Sequence, residues 1–302
     1  MGSPFQLVFI CDSQTRADSI AQAAYQLTDK LNAVFSDYDS TSEIGRINRQ
    51  QDTGWIAVSP LLYDILYQSH TAYRQSAGAF DVTIGALSGI WRKARKERAF
   101  ADPEQVKEAL QHTGGAKMIL DTVQERIRFT NPGVKIDLGG IAKGYTAGKV
   151  LRLLQDAGIR AALVDAGGDM AISDAPPGAR GWRIGVNIPQ TTDSLLPKHL
   201  LLHNISVATS GDAYQYIAHD GKIYSHIIDP HTGYGVQYRR NVTVIAQDPT
   251  LADWLATACS ILPLRKAKKL VLGYHAELLI TEMHDDRVHY FMTKGFGAYW
   301  ER

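Results

Sequence analysis

Strand-like and helix-like segments are interspersed irregularly along this chain, and hairpin-forming turns recur between the strands. Parallel strands need a long crossover, usually a helix, between them, so the lack of regular β-α-β alternation argues for antiparallel pairing. The pattern predicts an α+β fold, a largely antiparallel sheet flanked by helices, with no internal repeat. At 302 residues, 45% hydrophobic and 21% charged, the chain suits one large domain spanning 1–302, built as two intimately packed lobes.

Residues 5 to 11 read as a first strand, and Ile20, Ala24, Leu27, Leu31 and Val34 then recur at helical spacing. A polar loop follows from Ser36 to Glu43. Ser59-Pro60 and Asp102-Pro103 each join a capping side chain to a proline in the first turn and so start helices, the first running to Gly78. The apolar segments Met118 to Leu120 and Ile127 to Phe129 predict a small hairpin, followed by a helix from about 141 to 156 and a buried strand from Ala161 to Val164. From 182 onward strands dominate, with a turn at Asp220-Gly221 between Tyr214-to-Ile217 and Ile223-to-Ile228, and one helix, Pro249 to Ile261, interrupts them. Pro176-Pro177-Gly178 and the stretch from Pro189 to Pro197 read as loops.

Thirty-two Lys and Arg balance 31 Asp and Glu, a net charge of +1, so there is no overall basic field to attract nucleic acid. The basic run from Arg92 to Arg98 reads as a solvated face. Two cysteines, Cys11 and Cys259, are too few for a disulfide framework or a zinc site. The apolar stretch from Leu7 to Cys11 is too short for a signal segment or a membrane span, so the chain as given reads as cytoplasmic, or as the trimmed form of an exported protein.

Several segments hold residues suited to chemistry. Asp137-Leu138-Gly139-Gly140-Ile141-Ala142-Lys143-Gly144 puts paired glycines before a helix with a lysine in its first turn. There unpaired N–H groups and an ammonium can meet phosphate, although a plain strand-to-helix turn has the same sequence. A second glycine pair, in Asp165 to Asp169, follows a buried strand, and Ala208-Thr209-Ser210-Gly211-Asp212 reads as a hydroxyl-rich loop that either receives a phosphate or caps a turn. Asp253 and Thr257 are four apart on one face of an apolar helix. They form half of an oxygen site for Mg²⁺, or else Asp253 caps a neighbouring loop while Thr257 bonds back along its helix. In Ser225 to Gly233 two histidines flank a Pro/Gly turn, and His226, read as lying within the strand, is the better general acid or base.

Taken in order, these segments resemble the ApbE family, the FAD:protein FMN transferases, over nearly the whole chain. The resemblance rests on Met1-Gly2-Ser3, Ser36-Asp37-Tyr38 with Ser42-Glu43-Ile44 and Asn48, Gly78 to Thr83, Asp137 to Gly144, Gly167-Gly168-Asp169, Thr209-Ser210-Gly211, Ser225 to Gly233, and Asp253 with Thr257. It implies an ApbE-like fold and Mg²⁺-dependent transfer of the FMN half of FAD to a threonine of a client flavoprotein, with AMP leaving. The implied Mg²⁺ ligands are the side chains of Asp253 and Thr257 and the carbonyl of Gly140. Lys143 would contact the FAD phosphates with Asp137 nearby, and Met1, Tyr38, Ala79, Phe80, Asp81 and Ile227 would line the FAD site. His226, Asp253 and Lys143 are the implied catalytic residues. A Mg²⁺-dependent FAD pyrophosphatase and a non-catalytic FAD-binding protein are the alternative readings.

Overall fold

The structure is a computed structural model that describes residues 3–50, 52–187, 195–211, 216–237, 239–284 and 287–302. Met1, Gly2, Pro189, Asp212 and Tyr214, all named above, lie outside the described residues. In chain order the elements begin with β1 (Phe5–Phe9), α1 (Gln14–Phe35), α2 (Glu43–Ile47), β2 (Ile56–Ala57), α3 (Pro60–Gln75), α4 (Gly85–Glu97), α5 (Pro103–Gln111), β3 (Met118–Asp121) and β4 (Arg126–Phe129). Helix α6 (Ala142–Asp156) leads into β5 (Ala162–Ala166), β6 (Met170–Ile172), β7 (Trp182–Asn187), β8 (Leu195–Leu202) and β9 (Ile205–Gly211). Next come β10 (Tyr216–His219), β11 (Lys222–Ser225), β12 (Arg240–Ala246), α7 (Pro249–Ile261), α8 (Leu264–Gly273), β13 (Glu277–His284) and β14 (Arg287–Met292).

The chain divides into two compact units, each assembled from separated stretches. The first comprises Met1–Leu31, Ile141–Ala213 and Arg239–Arg302. It is built on a seven-stranded sheet of order β1-β5-β6-β9-β12-β13-β14, with every neighbouring pair antiparallel. Side chains alternate between the two faces of the strands, and both faces of the inner strands are covered. On one, α6 packs against β5 and β6, α7 against β9 and β12, and α8 against β13. On the other, the β7–β8 ribbon contributes Ile184, Val186, Leu196, Leu200 and Leu202 to a core with Leu163, Ile172, Val207, Ile245 and Leu279. The inner strand β12 is therefore buried along its whole length, which suits its run of β-branched residues.

The second unit comprises Asn32–Gly140 and Tyr214–Tyr238. Its core gathers Leu87, Trp91 and Ala94 of α4 with Val106 and Ala109 of α5 and Ile228, and Tyr224 and Tyr234 pack against it. Trp91 is fully buried. Its indole N–H donates to the Gly233 carbonyl at 2.8 Å, and its ring stacks on Tyr224 at 5.9 Å.

Most sequence expectations meet their elements, including the β3–β4 hairpin, α5, α6, α7 and the Asp220-Gly221 turn, where both residues take positive φ as a tight hairpin turn requires. Several differ. The polar stretch ends at Ser42, whose hydroxyl caps the short α2 by accepting from Gly45 N–H. Helix α3 stops at Gln75 because Ala77 and Gly78 turn into the left-handed region. Residues 208–211 are not a loop but part of β9, paired with β12. Pro197 lies within β8, where a register shift opposite β7 tolerates a residue without an N–H. A second helix, α8, follows α7. Strand β11 ends at Ser225, so His226 lies just beyond it. No helix of the described residues is long and apolar enough to cross a membrane.

Candidate functional site

The first unit concentrates its buried charge where α6 begins. Ile141, at the N-cap of α6, offers no side-chain hydrogen bond, so the first N–H groups need other acceptors. Asp253 supplies one: its Oδ2 accepts from Gly144 N–H at 2.8 Å, and the Lys143 amide also supports it. The two helices meet so closely that a Cβ on Gly144 would sit 2.2 Å from the Pro249 carbonyl oxygen and 2.7 Å from the Asp253 Cβ. The sequence offered an anion site or a plain strand-to-helix turn here; the Lys143 and Gly144 N–H groups instead serve the carboxylate of α7. The capping alternative for Asp253 is thus realised, on a helix rather than a loop.

Lys143 turns to Asp169, and the two form a hydrogen-bonded ion pair. The other Asp169 oxygen accepts from Thr209 N–H at 3.2 Å. Burial opposes the Lys143 charge, yet Asp169, Asp253 and Asp165 outweigh it and hold its pKa above the ordinary value. Asp169 and Asp253 are only 2% and 3% exposed. Burial, then the charge of Asp169, push Asp253 up to about 7, with Lys143 and the two amides working against them. Two buried carboxylates around one ammonium leave an excess negative charge, which a proton or a bound cation can relieve. Thr257, half-buried one turn along α7, adds a hydroxyl on the same face as Asp253.

Among the described residues no group of three or more His, Cys, Asp or Glu side chains is arranged to hold a metal. A cation here would take carboxylate and hydroxyl oxygens, a donor set that suits Mg²⁺ rather than a thiophilic or imidazole-bound metal. The residues fit such an ion in charge and in chemistry.

The second unit holds the other expected residues. Ala79, Phe80 and Asp81 are buried. One Asp81 oxygen accepts from the N–H and hydroxyl of Thr83 at 2.8 and 2.7 Å, and the other from Gly115 N–H at 2.8 Å. Ile227 is buried and His226 half-buried. His231 is pinned in its turn, Nδ1 3.0 Å from Asp229 Oδ1 and Nε2 3.2 Å from the Ala77 carbonyl oxygen, a structural role. Asp137 Oδ1 accepts from Gly139 N–H at 2.8 Å, in the turn that contains Gly140. Tyr38 is 76% exposed in the loop after α1.

A profile of the ApbE family matches residues 1–280. The chain belongs to the ApbE family. This ApbE-family chain is 32% identical over 237 residues to the FAD:protein FMN transferase of Chlamydia muridarum, covering 77% of this chain and 72% of that one. It is 29% identical over 308 residues to the protein of that name from Haemophilus influenzae, covering 99% and 88%. The solved structure of the ApbE protein of Thermotoga maritima is 31% identical, with a TM-score of 0.84 over 99% of this chain and 100% of that one. The mixed α and β architecture with a large antiparallel sheet is that of these ApbE structures.

The fold brings Lys143 and Asp253 into one buried cluster of the first unit, and Asp37, Tyr38, Asp137 and Arg92 into a cluster of the second. Sequence reasoning placed Asp169 in a glycine-pair motif without giving it a role, and read Arg92 as part of a solvated face. The available signal for Asp169 was an acid after a glycine pair at the end of a buried strand. For Arg92 it was a single arginine beside a core tryptophan, hidden within a basic run.

Proposed function

We propose that this ApbE-family protein moves the FMN half of FAD onto a threonine hydroxyl of a client flavoprotein in a Mg²⁺-dependent reaction that releases AMP, with residues 1–302 working as one flavin transferase domain. Family membership over almost the whole chain, with relatives bearing that name, supports the reading most strongly. The cluster of Lys143 with the buried Asp169 and Asp253 supports it chemically, because phosphoryl transfer depends on positioned charge more than on covalent catalysis.

In this reading Asp253, Thr257 and the Gly140 carbonyl hold Mg²⁺, which supplies Lewis-acid neutralisation of phosphoryl charge. Lys143, steadied by Asp169, contacts the FAD pyrophosphate, with Asp137 nearby. Met1, Tyr38, Ala79, Phe80, Asp81 and Ile227 line the FAD site. The threonine oxygen forms a new bond to the FMN phosphorus as the bond to the AMP oxygen breaks, and the hydroxyl proton passes to His226 or Asp253.

The test incubates the protein with FAD and Mg²⁺, with and without a threonine-bearing flavoprotein acceptor, and reads AMP release and acceptor-linked fluorescence on a denaturing gel. Metal-dependent labelling of the acceptor is the expected result. AMP and free FMN with an unlabelled acceptor would make water the acceptor and the protein a pyrophosphatase. Bound but intact FAD in both reactions would make it a binding protein.

A further inference from the structure

Arg92 lies in the basic run that reads from sequence as solvated, yet its side chain is only 23% exposed. It is held from behind: the adjacent Trp91 is locked in the core of the second unit, and Arg92 Nε donates back to the Ser88 carbonyl at 3.3 Å. From there the guanidinium reaches three groups. It pairs with Asp37 through a short hydrogen bond, lies 3.7 Å from Asp137 Oδ2, and stacks with its central carbon 4.4 Å from the centroid of the Tyr38 ring.

We propose that Arg92 is a positioning residue of the FAD site, fixing the exposed Tyr38 ring and offsetting part of the negative charge of Asp37 and Asp137 where a dianionic dinucleotide approaches. This rests on the reading of Tyr38 and Asp137 as FAD contacts. An exposed tyrosine in a loop has no preferred ring orientation unless something covers one face, and the planar guanidinium covers it while leaving the other face for a flat ligand ring. Without Arg92, Asp37 would lose its ion-pair partner and Asp137 would keep only the longer-range attraction of Arg95. Lysine restores the charge but neither the planar stack nor the fork that serves two carboxylates.

FAD affinity is measured by titration of flavin fluorescence for the full chain, for Arg92→Met, Arg92→Lys and Tyr38→Ala, and for the double variant Arg92→Met/Tyr38→Ala. Steady-state rates with FAD and acceptor accompany the titration. Arg92→Met is expected to weaken FAD binding about tenfold. Arg92→Lys, which keeps the charge and is expected to fold even if the methionine variant does not, shows a smaller loss that falls in KM rather than in kcat. Adding Arg92→Met to Tyr38→Ala costs clearly less than it costs alone, because part of its effect passes through that ring. Wild-type affinity in both Arg92 variants, or losses that add fully in the cycle, would overturn the positioning role. Failure of the unaltered protein to bind FAD would instead overturn the reading on which it rests.

Discussion

Asp253 is the residue on which most of the proposed chemistry converges. Asp253→Asn retains an oxygen to accept the Gly144 N–H and should fold, but it loses the negative charge a Mg²⁺ ligand needs. Turnover should be lost and Mg²⁺ affinity should fall at least about 100-fold, beyond the usual cost of altering an outer-shell group, while FAD binding stays measurable. AMP release at near-normal rate would remove the metal assignment. The raised pKa of Asp253 carries a second consequence. Without metal, the folded protein keeps a proton on this carboxyl up to about 7, whereas the unfolded chain releases it near 3.8. The folded state binds more protons across that window, so this group's contribution to stability falls as pH rises through it. Mg²⁺ needs the deprotonated carboxylate, so its apparent affinity should rise over the same window and level off above it. Urea midpoints with and without Mg²⁺ at about pH 5 and about pH 8 check this linkage, and equal Mg²⁺ stabilisation at both would contradict it. Asp253→Asn should abolish the dependence.

Among elements, the α6–α7 contact is the most demanding. Alanine ordinarily favours a helix over glycine by about 1 kcal/mol, yet at Gly144 the added methyl meets the backbone of Pro249 and the Asp253 side chain. Gly144→Ala should therefore destabilise, by about 1–3 kcal/mol from overpacking, and should weaken Mg²⁺ binding by displacing Asp253. A denaturant midpoint at or above that of the unaltered protein would show that the helices separate without cost. The starts of α3, α5 and α7 were legible in sequence because each combines a capping side chain with a proline, signals confined to neighbouring residues. Strand β9 was not legible, since Thr209-Ser210-Gly211 has loop composition and becomes strand through pairing with β12. Helix α8 escaped notice because only Ala267 and Val271 are fully buried, too narrow a stripe to stand out among its lysines.

For the whole molecule, binding of FAD and Mg²⁺ to the folded state alone should stabilise it. A ligand at 100 times its Kd adds about 2.7 kcal/mol, which for a chain of this size means a rise in Tm of several degrees. Thermal melts should show a larger shift with FAD and Mg²⁺ together than the sum of the separate shifts if the two share phosphate oxygens. Purely additive shifts would mean independent sites. The ordered motifs carried the resemblance to the family, and the antiparallel α+β class was legible because helix caps, hairpin turns and side-chain alternation are local. Only the tertiary structure decided that Lys143 pairs with Asp169, that Asp253 caps α6, and that Arg92 leaves its solvated run to hold Asp37 and Tyr38. Those contacts join residues 26, 109 and 55 positions apart. A charged side chain's partner and burial depend on what folding brings beside it, and no local pattern encodes that.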